Sequence, residues 1–239
     1  MITEELFRAD SYLRECDATV IGVNDRGGII LDRTVFYPTG GGQPGDTGFL
    51  APANGEPIRI VTTVKGDGDE NVVHVAAEGS DLPAPGESVT ARLDWARRYA
   101  HMRMHTCLHL LCAAIPFGVT GGRIGADKSS LDFDIGDGSL DKPVIEAEIN
   151  RLVAADRAVA ARWVDEAELD ANPEMVRTMS VQPPRGSGSI RLLEIAGVDL
   201  QPCGGTHLAR TGEVGRVQVG KIENKGKRNR RVNIILAGP

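Results

Sequence analysis

The stretch Arg97-Arg98-Tyr99-Ala100-His101-Met102-Arg103-Met104-His105-Thr106-Cys107-Leu108-His109-Leu110-Leu111-Cys112 reads as one helix that carries metal ligands. At ~100° per residue, side chains four apart lie one turn along the same face, so His105 and His109 can turn both imidazoles to one ion. Asp94, just upstream, is suited to cap the helix, and Pro116-Phe117-Gly118 ends it.

The spacing matches the two-His zinc helix of metalloproteases, but Thr106, Cys107 and Leu108 fill the interval with no Glu to act as general base, which excludes protease chemistry. Two imidazoles are too few for a zinc-type site, which needs three or four protein ligands. The others are expected in Gln201-Pro202-Cys203-Gly204-Gly205-Thr206-His207, where a thiolate and an imidazole flank glycines that let the backbone wrap closely around an ion. His105, His109, Cys203 and His207 then offer three nitrogens and one sulfur, a set that suits one Zn2+ better than magnesium or calcium. His101 and Cys112 also project toward this helix face, so either can replace a member of that set.

His105-Thr106-Cys107-Leu108-His109-Leu110-Leu111 and Cys203-Gly204-Gly205-Thr206-His207 resemble the H-T-x-x-H-L-L and C-G-G-T-H motifs of alanyl-tRNA editing domains. Phe36-Tyr37-Pro38-Thr39-Gly40-Gly41-Gly42-Gln43-Pro44-Gly45-Asp46-Thr47-Gly48 is similar to the F-Y-P-x-G-G-G-Q-x-x-D-x-G stretch of alanyl-tRNA synthetase editing regions and freestanding AlaX proteins. Threonyl-tRNA synthetase editing domains share the zinc-type pairs and lack that glycine signature. The three motifs fall in the family's order, and the resemblance spans nearly the whole chain. It implies an α/β editing fold, and implies that Gly40, Gly41, Gly42 and Gln43 border the aminoacyl pocket. Read on their own, the three glycines permit positive φ and close backbone approach, and they equally suit a tight turn between strands.

The chain has 239 residues, 41% of them apolar, and 42 are Gly or Pro, which suits two modest cores joined by many turns. No apolar run approaches the ~18 residues of a membrane span and no basic leader opens the sequence. The four cysteines show no disulfide spacing, so a reducing cytoplasm is expected. Net charge is −6, but residues 1–90 hold six basic against fifteen acidic side chains and the remainder 21 against 18. The acidic excess is therefore N-terminal, and a basic face further on stays open.

Short apolar runs at residues 18–23, 28–32, 58–64 and 71–75, paired across turns at 24–27 and 65–70, predict two hairpins of a small β-barrel in residues 1–90. His74 reads there as a packed strand histidine. A proline-rich connector at 79–88 places the domain boundary near residue 90, although Val89–Leu93 also fits a last barrel strand. In residues 91–239 the expectation is helices packed on a β-sheet, giving an α+β chain. A second helix begins at Pro143 and keeps its apolar face through Ala161, and strands are expected at 130–135, 189–195, 214–219 and 231–236.

The last two strands enclose a cation-dense hairpin tip, where Lys225, Lys227, Arg228 and Arg230 can track phosphates or form a solvated turn. Arg97 and Arg98 are further phosphate candidates. Aromatics are 4% of the chain, too few for base stacking to carry recognition.

An alanine pocket excludes glycine poorly and rejects serine's extra hydroxyl only weakly. The resemblance accordingly implies trans editing: hydrolysis of the ester joining serine, or glycine, to alanine tRNA, without ATP. Zinc then either activates water or holds the substrate, and four protein ligands equally permit a structural ion. Thr39, Gln43, Thr106 and Thr206 are candidate partners of the serine hydroxyl. A zinc-stabilised RNA-binding module without hydrolytic activity is the alternative.

Overall fold

The computed structural model describes residues 2–67, 72–171 and 189–237. The chain is α+β and forms two compact units, Met1–Tyr99 and Ala100–Pro239.

The first unit contains β1 (Glu4–Glu5), β2 (Glu15–Val23), β3 (Gly28–Leu31), β4 (Arg33–Thr34), β5 (Gly48–Pro52), β6 (Ile58–Val64), β7 (Val73–Ala76) and β8 (Ser88–Leu93). Six of them close a barrel in the order β2-β3-β7-β6-β5-β8, while β1 and β4 form a short parallel pair. Alternation fills the interior. Val89, Ala91 and Leu93 of β8 point inward, as do Ile58 and Ile60 of β6. A register shift between Ile60 and Thr62 then turns Thr63, rather than Thr62, to the inside. Both predicted hairpins are present, β2 with β3 and β6 with β7. Residues 68–71, part of the second expected turn and strand, lie outside the described residues.

His74 is a core residue, its ring held between the Thr34 hydroxyl at 2.8 Å and the Ile29 carbonyl at 3.0 Å and set edge-on to Phe36. The expected boundary at residue 90 falls inside β8, which pairs with both β2 and β5, and the first unit runs on to Tyr99.

α1 (Trp95–Ala114) starts where Asp94 predicts, the Asp94 carboxylate accepting from the Arg97 N–H at 3.1 Å. The second unit continues with β9 (Gly118–Arg123), β10 (Lys128–Asp134), α2 (Lys142–Ala154), β11 (Val159–Asp165), α3 (Glu166–Ala171), β12 (Ser189–Ile195), β13 (Asp199–Pro202), β14 (Val217–Asn224) and β15 (Asn229–Leu236). They make a four-stranded sheet, β14-β15-β10-β9, and a three-stranded sheet, β11-β12-β13. Asn150 of α2 binds both the N–H and the carbonyl of Val217, and Glu146 accepts from Val219, so helix side chains cover the outer edge of β14.

The second helix stops short of its expected end at Ala161. Asp156 adopts φ +47°, which breaks the helix, and Val159–Ala161 join β11, paired with Leu193–Ile195 of β12. Val214 ends a 3-10 turn (Thr211–Val214) rather than starting a strand, and β14 begins at Val217. Among the described residues no helix is long and apolar enough to cross a membrane.

Candidate metal centre

α1 and the segment after β13 bring His105, His109, Cys203 and His207 together, with the donor atoms all within 4.8 Å of one another. The Cys203 Sγ lies 3.5 Å from His105 Nε2 and 3.2 Å from His207 Nε2. Tetrahedral coordination with Zn–S of ~2.3 Å and Zn–N of ~2.05 Å puts sulfur and nitrogen about 3.5 Å apart, so the donor set fits one such ion. The three histidines are buried and Cys203 is half-buried. His101 and Cys112 are buried but fall outside this group, which removes them as alternative ligands among the described residues.

The electrostatics favour ligation. Burial works to raise the Cys203 thiol, but His105 beside it, by charge and by hydrogen bond, and a hydrogen bond from His109 hold it well below the usual thiol range, in the thiolate form that binds metal. Burial, with His105 adding to it, keeps His207 well below the ordinary imidazole range and therefore neutral. Burial also works against a charged His109, yet hydrogen bonds to Asp199 and Cys203 push it up to about 9. A metal cation meets the same negative surroundings that hold this proton.

Three residues that the sequence did not single out support the cluster. Asp199 Oδ2 lies 3.1 Å from His109 Nδ1, and Gln201 donates to the same oxygen at 2.5 Å. Arg191 of β12 donates to the carbonyls of Cys203 (2.7 Å) and Gly205 (3.1 Å), pinning the C-G-G-T-H loop. Only the strand-like pattern around Arg191 and the i, i+2 spacing of Asp199 and Gln201 hinted at them.

Thr106 is buried, 3.3 Å from His207 Nδ1, and accepts from the Leu208 N–H at 3.1 Å, so its hydroxyl braces the His207 ring. Thr206 is buried in the same loop.

In the first unit, Gly40 and Gln43 exchange backbone hydrogen bonds across Gly41 (φ +55°) and Gly42 (φ +81°). This is a two-residue hairpin turn with positive φ at both centres, a conformation that nearly demands glycine. The Gly40 N–H is thereby committed to Gln43. Gln43 is buried, and Thr39 accepts from Gly45 and donates to the Thr63 carbonyl.

Of the phosphate candidates, Arg98 requires correction. It is fully buried, ion-paired with Asp46 of the glycine motif, and donates to the carbonyls of Val35 (2.6 Å) and Ser11 (3.0 Å). It is a core cation, shielded from any phosphate. Arg97 is half-buried. Lys225, Lys227 and Arg228 are exposed around the β14–β15 tip and Arg230 is half-buried. Asp134 of β10 pairs with Arg228, and Asp132 with Arg231, so neighbouring carboxylates offset part of the positive charge.

The family described as threonyl and alanyl tRNA synthetase second additional domain matches residues 190–233, and class II (A) tRNA synthetases match residues 12–97. The chain is 36% identical to an alanyl-tRNA editing protein AlaX-M of Methanosarcina acetivorans, covering 98% of this chain and 99% of that one. It is 34% identical to an AlaX-M of Saccharolobus solfataricus over 97% and 98% of the two chains. An alanine–tRNA ligase of Pyrobaculum calidifontis is 39% identical over 92% of this chain and 25% of the ligase.

Proposed function

Because this chain belongs to the AlaX family of alanyl-tRNA editing proteins, we propose that it is a trans-editing hydrolase. It cleaves the ester joining the wrong amino acid to alanine tRNA, with Ser-tRNA(Ala) as substrate and Gly-tRNA(Ala) as a second. The observation that carries the reading is the convergence of His105, His109, Cys203 and His207 in a chain related over its full length to editing proteins.

One zinc ion suits this donor set and supplies Lewis-acid polarisation of an ester carbonyl or a water acidified toward ~7. The chain's own residues prepare the place. Cys203 as thiolate and neutral His207 present lone pairs, Asp199 and Thr106 hold two rings in orientation, and Arg191 fixes the loop bearing Cys203. Thr206, Thr39, Gly40, Gly41, Gly42 and Gln43 keep the substrate role implied by the resemblance, and Thr106 serves it through His207. The tRNA is held by phosphate contacts from Arg97, Lys225, Lys227, Arg228 and Arg230. Hydrolysis of an existing ester needs no ATP, and the cytoplasm supplies both the tRNA and the reducing conditions that suit four free cysteines.

The test is deacylation of Ser-tRNA(Ala), Gly-tRNA(Ala) and Ala-tRNA(Ala) by zinc-loaded wild type and by Cys203→Ala. Release of serine with alanine spared, lost in the variant, is expected. No release from any of the three despite tight tRNA binding would leave the RNA-binding module in its place.

A further inference from the structure

The strand β13 carries Asp199 and Gln201 two residues apart, and Cys203 follows after two more, so period-two alternation sends all three toward one side. That side meets α1 at His109. The His109 Nδ1 faces Asp199 Oδ2 at 3.1 Å, and Gln201 Nε2 donates to this same oxygen at 2.5 Å. Asp199 and His109 are both almost fully buried, with side chains 3% and 8% exposed, so neither rotates freely into water.

An ionised carboxylate only accepts hydrogen bonds, so the ring nitrogen facing it must carry the hydrogen. That leaves the lone pair on Nε2. Thr106 does a comparable job at His207 Nδ1, but with a neutral hydroxyl. A carboxylate does more than choose the tautomer, because its charge raises the ring's basicity toward a cation.

We propose that Asp199, itself held by Gln201, is a positioning residue that sets the tautomer, orientation and metal affinity of His109. The inference rests on the metal-site reading above, and on none of its assumptions about tRNA. Asp199 touches neither substrate nor ion and acts only through His109.

The test measures Zn2+ affinity by competition with a chromophoric chelator, the visible absorption of the Co2+-loaded chain, and the melting temperature of the metal-free chain. Asp199→Ala is expected to weaken Zn2+ binding about 10- to 100-fold and to alter the Co2+ bands as His109 is released. Asp199→Asn keeps the shape and an acceptor without the charge, so it serves if the alanine variant fails to fold. Its expected loss is about tenfold, the lower end of that range. Gln201→Ala should move affinity in the same direction by less. A purely structural Asp199 would lower the metal-free melting temperature and leave the affinity and Co2+ spectrum of the folded Asp199→Asn variant unchanged, and that result would overturn the proposal. A wild type that binds neither ion overturns the metal site and this inference together. A wild type that binds zinc with Asp199-dependent affinity but spares Ser-tRNA(Ala) overturns the hydrolase reading alone.

Discussion

Lowering the pH should unlatch the barrel at His74. The ring is completely buried, and burial, only partly countered by its hydrogen bond to Ile29, lowers its pKa from 6.5 to about 4. An unfolded chain therefore binds a proton at His74 between pH 6.5 and 4 that the folded chain refuses. Stability from this group is complete above pH 6.5 and drains away as pH falls toward 4. The gap of about 2.5 units corresponds to roughly 3 kcal/mol in the limit, of which about 2 kcal/mol is gone by pH 5. No solvent screening reduces the figure, since the ring is inaccessible.

His74→Gln keeps an amide donor and acceptor but cannot take up the proton. Urea unfolding of wild type and variant at pH 7.5 and pH 5 should show their stability difference narrowing by about 2 kcal/mol at the lower pH, other titrating groups cancelling in the comparison. The His74 ring resonances should titrate with a midpoint about 4. A midpoint near 6.5, or a stability difference that stays constant with pH, would refute the reasoning.

Two further outcomes separate structural cations from binding ones. Arg98→Ala strands the Asp46 carboxylate in the core and should cost about 3–5 kcal/mol of stability by urea denaturation. Under conditions where the variant stays folded, its tRNA affinity should match wild type, and a selective loss of tRNA binding would return Arg98 to the phosphate contacts. Replacing Lys225 and Lys227 by Ala should leave the melting temperature within about a degree and reduce the salt slope of tRNA binding, log Kd against log salt, by about 1.5. An unchanged slope would make the tip a solvated turn.

What was legible in the sequence was local. β2, β3, β6, β7 and β12 announce themselves by short apolar runs within a few residues, and α1 by Asp94 and a helical His pair. β5 and β13 do not. Gly48-Phe49-Leu50-Ala51-Pro52 is a strand because β6 and β8 pair with both its edges, and Asp199-Leu200-Gln201-Pro202 because β12 supplies the ladder. The alanine-rich run after Leu152 favours helix at most of its residues, and strand pairing and the positive φ of Asp156 stop it. Arg98 looks like any surface cation until Asp46, 52 positions away, is seen against it. Asp199 was no more than hinted at, for the same reason. Its meaning lies in His109, 90 residues earlier.

That long separation has a kinetic side. His105 and His109 leave the ribosome roughly 95 residues before Cys203 and His207, so the growing chain holds half a site through much of its synthesis. An ion bridging the two halves would close a loop nearly as long as a small domain, and the chain entropy of closing a loop of this span, about 4–5 kcal/mol, has to be met by folding before the complete site exists. Metal capture would therefore wait on folding of the second unit, and a truncated or misfolded chain would lose the site along with its shape.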